Sequence, residues 1–148
     1  IIDAYSGAGP FSLAVGTVPE ARVLIEKDRQ ALDAAELNHR QHGFEDCEFV
    51  PASAESVLPQ GLAEQADRGA DTTVLLDPPR GGVDRPVIEA LTGSAVKQIL
   101  YVSCDAGTLA RDVKRLVGAG GFALEKLAFF DMFPQTAHFE SLVLLTRA

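Results

Sequence analysis

The sequence predicts an α/β domain over residues 1–148, built on a mostly parallel sheet that finishes in an antiparallel C-terminal hairpin. Three observations predict it. Short apolar strand-like runs alternate with helix-like runs along the chain, the order expected of strand–helix–strand units. The strand-like runs are apolar on both faces, so the sheet must be covered on both sides. The last two runs, 122–130 and 141–146, are joined only by the loop 131–140. Without a crossover helix they pair antiparallel, at one edge of the sheet.

Each element follows from local chemistry. Residues 1–5 are short and apolar and run into Ser6-Gly7-Ala8-Gly9, a strand entering a tight turn, and 11–15 begin a short helix. A second strand spans 22–26, and a helix over 29–42 is closed by Gly43, which accepts the left-handed backbone of a helix end. Residues 47–50 form a third strand, and 54–66 a helix interrupted near Pro59, with 59–71 a surface excursion. The run TTVLLD at 72–77 is a β-branched fourth strand stopped by Pro78-Pro79, since proline disfavours continuation. A helix over 86–91, a fifth strand QILYVS at 98–103 and a helix over about 108–117 follow, the last stopped by Gly-Ala-Gly-Gly at 118–121. There is no internal repeat and no low-complexity tract.

Composition narrows the function classes. With 148 residues, 47% hydrophobic and 23% charged, the chain has enough apolar surface for a core and lacks the signature of disorder. No apolar run reaches the ~20 residues of a bilayer span, so no membrane association is expected. The chain opens on Ile-Ile-Asp, already strand-like, with no initiator Met; a piece of a longer protein, with an N-terminal part before it, is the expectation. Cys47 and Cys104 lie far apart without metal-ligand spacing. Free thiols in a reducing cytoplasm are the better reading than a single disulfide, and no zinc site, iron–sulfur cluster or other metal is expected in this segment. The net charge of −8 excludes gripping nucleic acid by phosphate neutralisation through this segment alone. Basic surface for such a partner would sit in the N-terminal part.

In open α/β sheets, ligands bind beyond the carboxyl ends of the parallel strands, and five groups of unusual residues fall at that edge. Gly7 and Gly9 follow strand one and allow close backbone approach to a ligand; Glu26 ends strand two, placed to accept hydrogen bonds from ribose hydroxyls. Ser12 occupies the last glycine position of G-x-G-x-x-G, so this turn alone fits nucleotide folds, dinucleotide folds or a plain strand-to-helix connection. Asp77, locked by two prolines, is either a rigidly held carboxylate for a base or cofactor or a turn cap. Cys104, entering a helix through Asp105-Ala106-Gly107, can face the positive helix end as a thiolate nucleophile; the alternative is a buried inert cysteine. Cys47, between Asp46 and Glu48, has only the inert reading. Glu140 starts the last strand, which runs antiparallel and so begins at the same edge; it is either a solvated flank or a general base beside Cys104. His138 is either a structural hydrogen-bonding partner, the favoured reading, or the base itself. All five groups are expected in one cleft.

The segments YSGAGPFSL, LLDPPRGGVD, YVSCDAGTLARDVKRL and FDMFPQTAHFESLVLL together resemble the RNA uracil-5-methyltransferase family, which acts on transfer and ribosomal RNA. The resemblance covers essentially the whole chain in the family's order; Asp-Pro-Pro-Arg alone is common, whereas Ser-Cys before TLARD, then DMFP and His-x-Glu, is specific. It implies a Rossmann-like fold dependent on S-adenosyl-L-methionine, with an RNA-binding domain preceding it in longer members. It implies Cys104 as nucleophile, Glu140 as general base and Asp77 at the junction of cofactor and target base. Tyr5, the turn with Gly7 and Gly9, and Glu26 match cofactor contacts. Ser53 stands where an acidic residue often meets the adenine amine. Ser6, Pro10 and Asp105-Ala106-Gly107 also depart from the usual pattern.

The chemistry expected is addition of the Cys104 thiolate to carbon 6 of uracil, methylation at carbon 5, and proton removal by Glu140. Competing readings are cytosine-5 methylation, a non-catalytic cofactor- or RNA-binding module, and a nicotinamide-dependent dehydrogenase. The last shares the glycine turn and Glu26 but leaves Cys104, Asp77 and Glu140 unexplained.

Overall fold

A computed structural model describes residues 1–15, 21–66, 71–118, 121–132, 134–136 and 139–148, the side chains of 64–66 excepted. In chain order they form β1 (Ile2–Ala4), α1 (Pro10–Ala14), β2 (Arg22–Ile25), α2 (Arg29–Gln41), β3 (Cys47–Val50), α3 (Ala54–Ala66), β4 (Thr73–Leu76), α4 (Arg85–Gly93), β5 (Gln98–Ser103), α5 (Ala106–Gly118), β6 (Phe122–Phe130) and β7 (Glu140–Arg147). The seven strands make one sheet in the order β3-β2-β1-β4-β5-β7-β6. The first five are parallel, and β7 is antiparallel to both β5 and β6.

The terminal hairpin lies at one edge, as the sequence predicts, but its second strand is the inner one. Composition explains the order. β7 is an apolar run whose alternate residues are buried, which suits an interior position. β6 carries Glu125 and Lys126, is exposed over most of its length, and slips register between Leu124 and Lys126. Charge and a bulge both protect an edge strand from further pairing.

Alternate strand residues serve opposite faces. On one face Ile2, Ala4, Val74, Leu76, Ile99, Tyr101, Val143 and Leu145 pack with Leu58 and Leu62 of α3, Val87 and Leu91 of α4, and Leu116 of α5. On the other, Leu24 packs with Leu32 and Ala35 of α2 and with Cys47 and Phe49 of β3. α2 starts where the Asp28 carboxylate accepts the N–H groups of Gln30 and Ala31, the side-chain capping that a helix N-terminus needs. It ends at Gly43, with φ 78°.

The expected break at Pro59 is absent: α3 runs through it. Proline costs this helix one internal hydrogen bond, but Leu58 and Leu62, both almost wholly buried, hold the helix against the sheet. Tertiary packing overrides the local preference. α5 starts two residues earlier than predicted because Asp105 caps it, its Oδ1 accepting the Thr108 N–H at 2.8 Å. Residues 119 and 120 of the predicted glycine stop lie outside the described residues.

Candidate active site

The turn after β1 is built by backbone geometry that few residues tolerate. Tyr5, Gly7 and Gly9 all have positive φ, at 64°, 54° and 76°. Gly9 is further constrained by packing, since a Cβ there would lie 2.6 Å from Cε1 of His39. That histidine is fully buried. Its Nδ1 lies 2.8 Å from the Ala35 carbonyl, so Nδ1 carries the proton, and Nε2 lies 3.1 Å from Ser12 Oγ. Ser12 thus stands at the third glycine position to bond the turn to α2. Pro10 opens α1 with its missing N–H at a position that needs none.

Glu26 is locked to this turn. Its Oε2 accepts the Gly7 N–H at 3.0 Å and its Oε1 the Asp28 N–H at 2.8 Å. Each oxygen keeps a second acceptor site, so the carboxylate is rigid yet able to receive a hydroxyl.

Beneath the turn lies Asp3, 1% exposed. Its Oδ2 accepts the Ser12 N–H at 3.2 Å, while Oδ1 has no partner among the described residues. Burial first, opposed by the Ser12 hydrogen bonds, raises its carboxyl to about 6 from 3.8. The folded state therefore holds this proton to higher pH than the unfolded chain. Ionised Asp3 penalises folding above about pH 6, and the penalty fades as pH falls toward 4. Asp3→Asn is expected to stabilise the protein at pH 8 by about 2 kcal/mol, with the gain vanishing near pH 4. Thermal melts across that range check it; a gain independent of pH would contradict the assignment.

Two adjoining cavities open along the carboxyl edge, rather than the one cleft expected. The first, about 280 Å³, is lined by Tyr5, Glu26, Lys27, Ser53, Glu55, Asp77 and Pro79 among others. The second, about 590 Å³, is lined by Phe11, Asp77, Cys104, Phe130, Met132 and Glu140 above an apolar floor that includes Leu75, Leu100 and Leu142. Asp77 borders both. Gly7 and Gly9 line neither and act by shaping the turn. His138 lies outside the described residues.

Sheet register brings Cys104 and Glu140 together. Ser103 at the end of β5 faces Ser141 near the start of β7, so the next residue of one strand and the preceding residue of the other emerge side by side. By alternation both turn to the face opposite Tyr101 and Val143, the second cavity's side. Cys104 is a free, half-buried thiol. Burial raises Asp77 to about 6, and the Glu140 carboxylate adds to the shift; the two acids are near enough to repel. Cys47 is half-buried, its thiol pushed up by burial and its sulfur 3.8 Å from the Phe44 carbonyl. It lines neither cavity.

Two contributors escape the sequence reading. Asp112, fully buried on α5, accepts hydrogen bonds from the Val83 N–H at 2.8 Å and the Tyr101 hydroxyl at 2.9 Å. Arg111 bonds both Asp112 and the Gly81 carbonyl. The helix following Cys104 is thereby tied to the loop following Asp77. The spacing of Leu109, Asp112 and Leu116 puts this acid on the buried helix face, a signal available in the sequence. Glu55 is the second: its Oε1 accepts the Tyr5 hydroxyl at 2.6 Å. Among the described residues no cluster of three His, Cys, Asp or Glu side chains could hold a metal ion, and no helix is long and apolar enough to cross a membrane.

Comparison with known proteins adds lineage to this geometry. The profile of the family described as tRNA (Uracil-5-)-methyltransferase matches residues 1–148. An RNA methyltransferase of Gloeobacter violaceus is 40% identical over 148 residues, covering 100% of this chain and 30% of the relative. The 23S rRNA (uracil(1939)-C(5))-methyltransferase RlmD of Marinomonas sp. is 38% identical over 147 residues, covering 99% of this chain and 32% of the relative. The chain thus spans about a third of the length of these relatives. Among solved structures, the Pyrococcus abyssi tRNA (uracil-54, C5)-methyltransferase in complex with S-adenosyl-L-homocysteine is similar, with a TM-score of 0.79 and 29% identity over 98% of this chain and 33% of that one.

Proposed function

The chain belongs to the tRNA (uracil-5-)-methyltransferase family, and on that basis we propose that it binds S-adenosyl-L-methionine and methylates carbon 5 of a uridine in RNA. One observation carries the proposal: Cys104 and Glu140 line a cavity that shares Asp77 with a second cavity holding Glu26.

The residues fit the cofactor. The smaller cavity is the size of a nucleoside, and Glu26 offers it a carboxylate fixed by two backbone N–H groups. Tyr5, Glu26 and Ser53 would hold the nucleoside, and Asp77 the end nearest the reaction. When bound, the cofactor supplies an electrophilic methyl group.

Carbon 5 of uracil is a weak nucleophile, and Cys104 remedies that. Its thiolate adds to carbon 6, forming a carbon–sulfur bond and moving the ring's double-bond electrons toward carbon 5 and the carbonyl at carbon 4. Carbon 5 would then take up the methyl group, whose bond to the cofactor's sulfonium sulfur breaks and leaves its electron pair on that sulfur. Glu140 removes the remaining carbon 5 proton, the double bond re-forms, and the carbon–sulfur bond breaks to return the thiolate. Asp77 orients base and methyl group at their meeting point. The uridine must leave its stack to enter the cavity. RNA phosphates are held largely by parts of the intact protein outside these residues, because this segment carries a charge of −8.

The intact protein, given S-adenosyl-L-methionine and matched RNAs, is expected to produce 5-methyluridine and no 5-methylcytidine, as read by nucleoside mass spectrometry. Methylated cytidine, or cofactor binding without transfer to any RNA, would overturn the reading.

A further inference from the structure

The reaction above gives no task to the aromatic tip of the β6–β7 hairpin. Phe129 and Phe130 end β6, Met132 follows in the loop, and Phe139 leads into β7. All four are exposed, Phe129 by 62%. Phe130 pairs with Glu140 and lines the reaction cavity together with Met132. Phe129 pairs with Ser141 instead, so by alternation it turns to the opposite face of the tip. There its ring meets that of Phe139 edge to face, with centroids 5.3 Å apart and planes at 85°.

Charge and position say what such a surface takes. Between Leu124 and Ser141 the described charged side chains are Glu125, Lys126, Asp131 and Glu140. Acids outnumber the one base, so phosphates find no grip here. An edge-to-face pair leaves ring surface uncovered, and a nucleobase stacks on such a surface without help from charge. The rings stand at the carboxyl edge, one strand from Glu140. The target uridine must leave its stack to reach Glu140 and Cys104, and its neighbours lose a stacking partner in the same movement. β6 is the last strand of the sheet, so RNA leaving the cavity has an open way round the tip to the outer rings.

We infer that the Phe129–Phe139 pair is a stacking platform for an unpaired base beside the target uridine, so that the hairpin tip recognises single-stranded RNA by base faces. Every base has such a face, and the platform therefore selects an unpaired strand rather than a sequence. Stacking there offsets part of what the RNA loses when the uridine swings out. The two rings line neither cavity; they hold the strand and leave the reacting atoms to Cys104 and Glu140.

The inference rests on the uridine reading of the larger cavity, and a binding experiment on the intact protein tests it separately from methyl transfer. The probes are labelled RNA heptamers with one central uridine among adenosines, either complete or with one adenosine at a time made abasic. Dissociation constants are read by fluorescence anisotropy with S-adenosylhomocysteine present. The wild type is expected to lose about 10-fold in affinity when a base next to the uridine is removed. Phe129→Leu, apolar but without a ring, should lose as much on the complete heptamer and lose nothing more at that abasic position. Phe129→Trp should restore the wild-type pattern, and Phe139→Leu repeats the test if Phe129→Leu does not fold. The salt dependence of binding should stay as in the wild type, because no phosphate contact is removed. Losses that add at every abasic position would overturn the inference, and so would a wild type that binds no heptamer. Unchanged RNA affinity in Phe129→Leu, with a lowered melting temperature or an altered oligomeric state, would overturn it in favour of a protein covering this face. A protein that binds the heptamers as expected but makes no 5-methyluridine would refute the proposed reaction and leave the platform standing.

Discussion

Cys104→Ala is expected to abolish methyl transfer, to below about one part in 10⁴ of the wild-type rate, while S-adenosyl-L-methionine still binds. Both halves of this expectation come from placement. The sulfur lines the larger cavity and not the one that contains Glu26, so its loss leaves the nucleoside contacts intact. In the proposed mechanism the same side chain supplies the electrons that make carbon 5 reactive, and an alanine methyl offers no lone pair. Folding survives the change: the thiol is half-buried, and the fold contacts around it come from Ser103, whose hydroxyl bonds Asp105. Calorimetry with the cofactor and radiolabelled methyl transfer to RNA check the two halves. Retained transfer would remove the covalent step.

Glu140→Gln is expected to trap an adduct. The carbon 5 proton must leave before the carbon–sulfur bond can break, and an amide cannot take it. Turnover should fall by about 10²–10⁴-fold, and a methylated RNA–protein adduct should accumulate as a retarded band on a denaturing gel. Asp77 is the rival base, because it borders the same cavity and sits near neutrality at about 6. The pair of variants decides between them. Adduct in Glu140→Gln and none in Asp77→Asn fits the assignment. The reverse pattern, with normal turnover in Glu140→Gln, would move the proton to Asp77.

Much of this arrangement was legible in the sequence, and the reasons are physical. Strand–helix alternation and apolar strands declare a covered parallel sheet, and the proline pair after TTVLLD marks where β4 must stop. The edge rule then places Glu26, Asp77, Cys104 and Glu140 together before any coordinates are known. What stayed hidden depends on side chains meeting across the fold. The inner place of β7 follows from β6 carrying charge, a contrast that pattern alone does not rank. The helix through Pro59 is held by distant apolar partners. Tyr5 holds a left-handed backbone usually left to glycine, and its hydroxyl reaches Glu55, 50 residues away. Asp3, at the heart of an apolar strand, passed as ordinary because nothing local marks a buried acid. The split of the edge into two cavities joined at Asp77 is likewise a matter of three-dimensional spacing.

The proposal reduces to a bond between one sulfur and carbon 6 of a uridine, and that bond can be located. RNA bearing 5-fluorouridine at the target site has no carbon 5 proton to surrender, so the attacking residue stays attached after methylation. Incubated with the intact protein and S-adenosyl-L-methionine, then digested and mass-mapped, it should leave a methylated fluorouridine on the peptide containing Cys104 and on no other. An adduct at Cys47 or elsewhere, or none from a protein that methylates ordinary uridine, would contradict it.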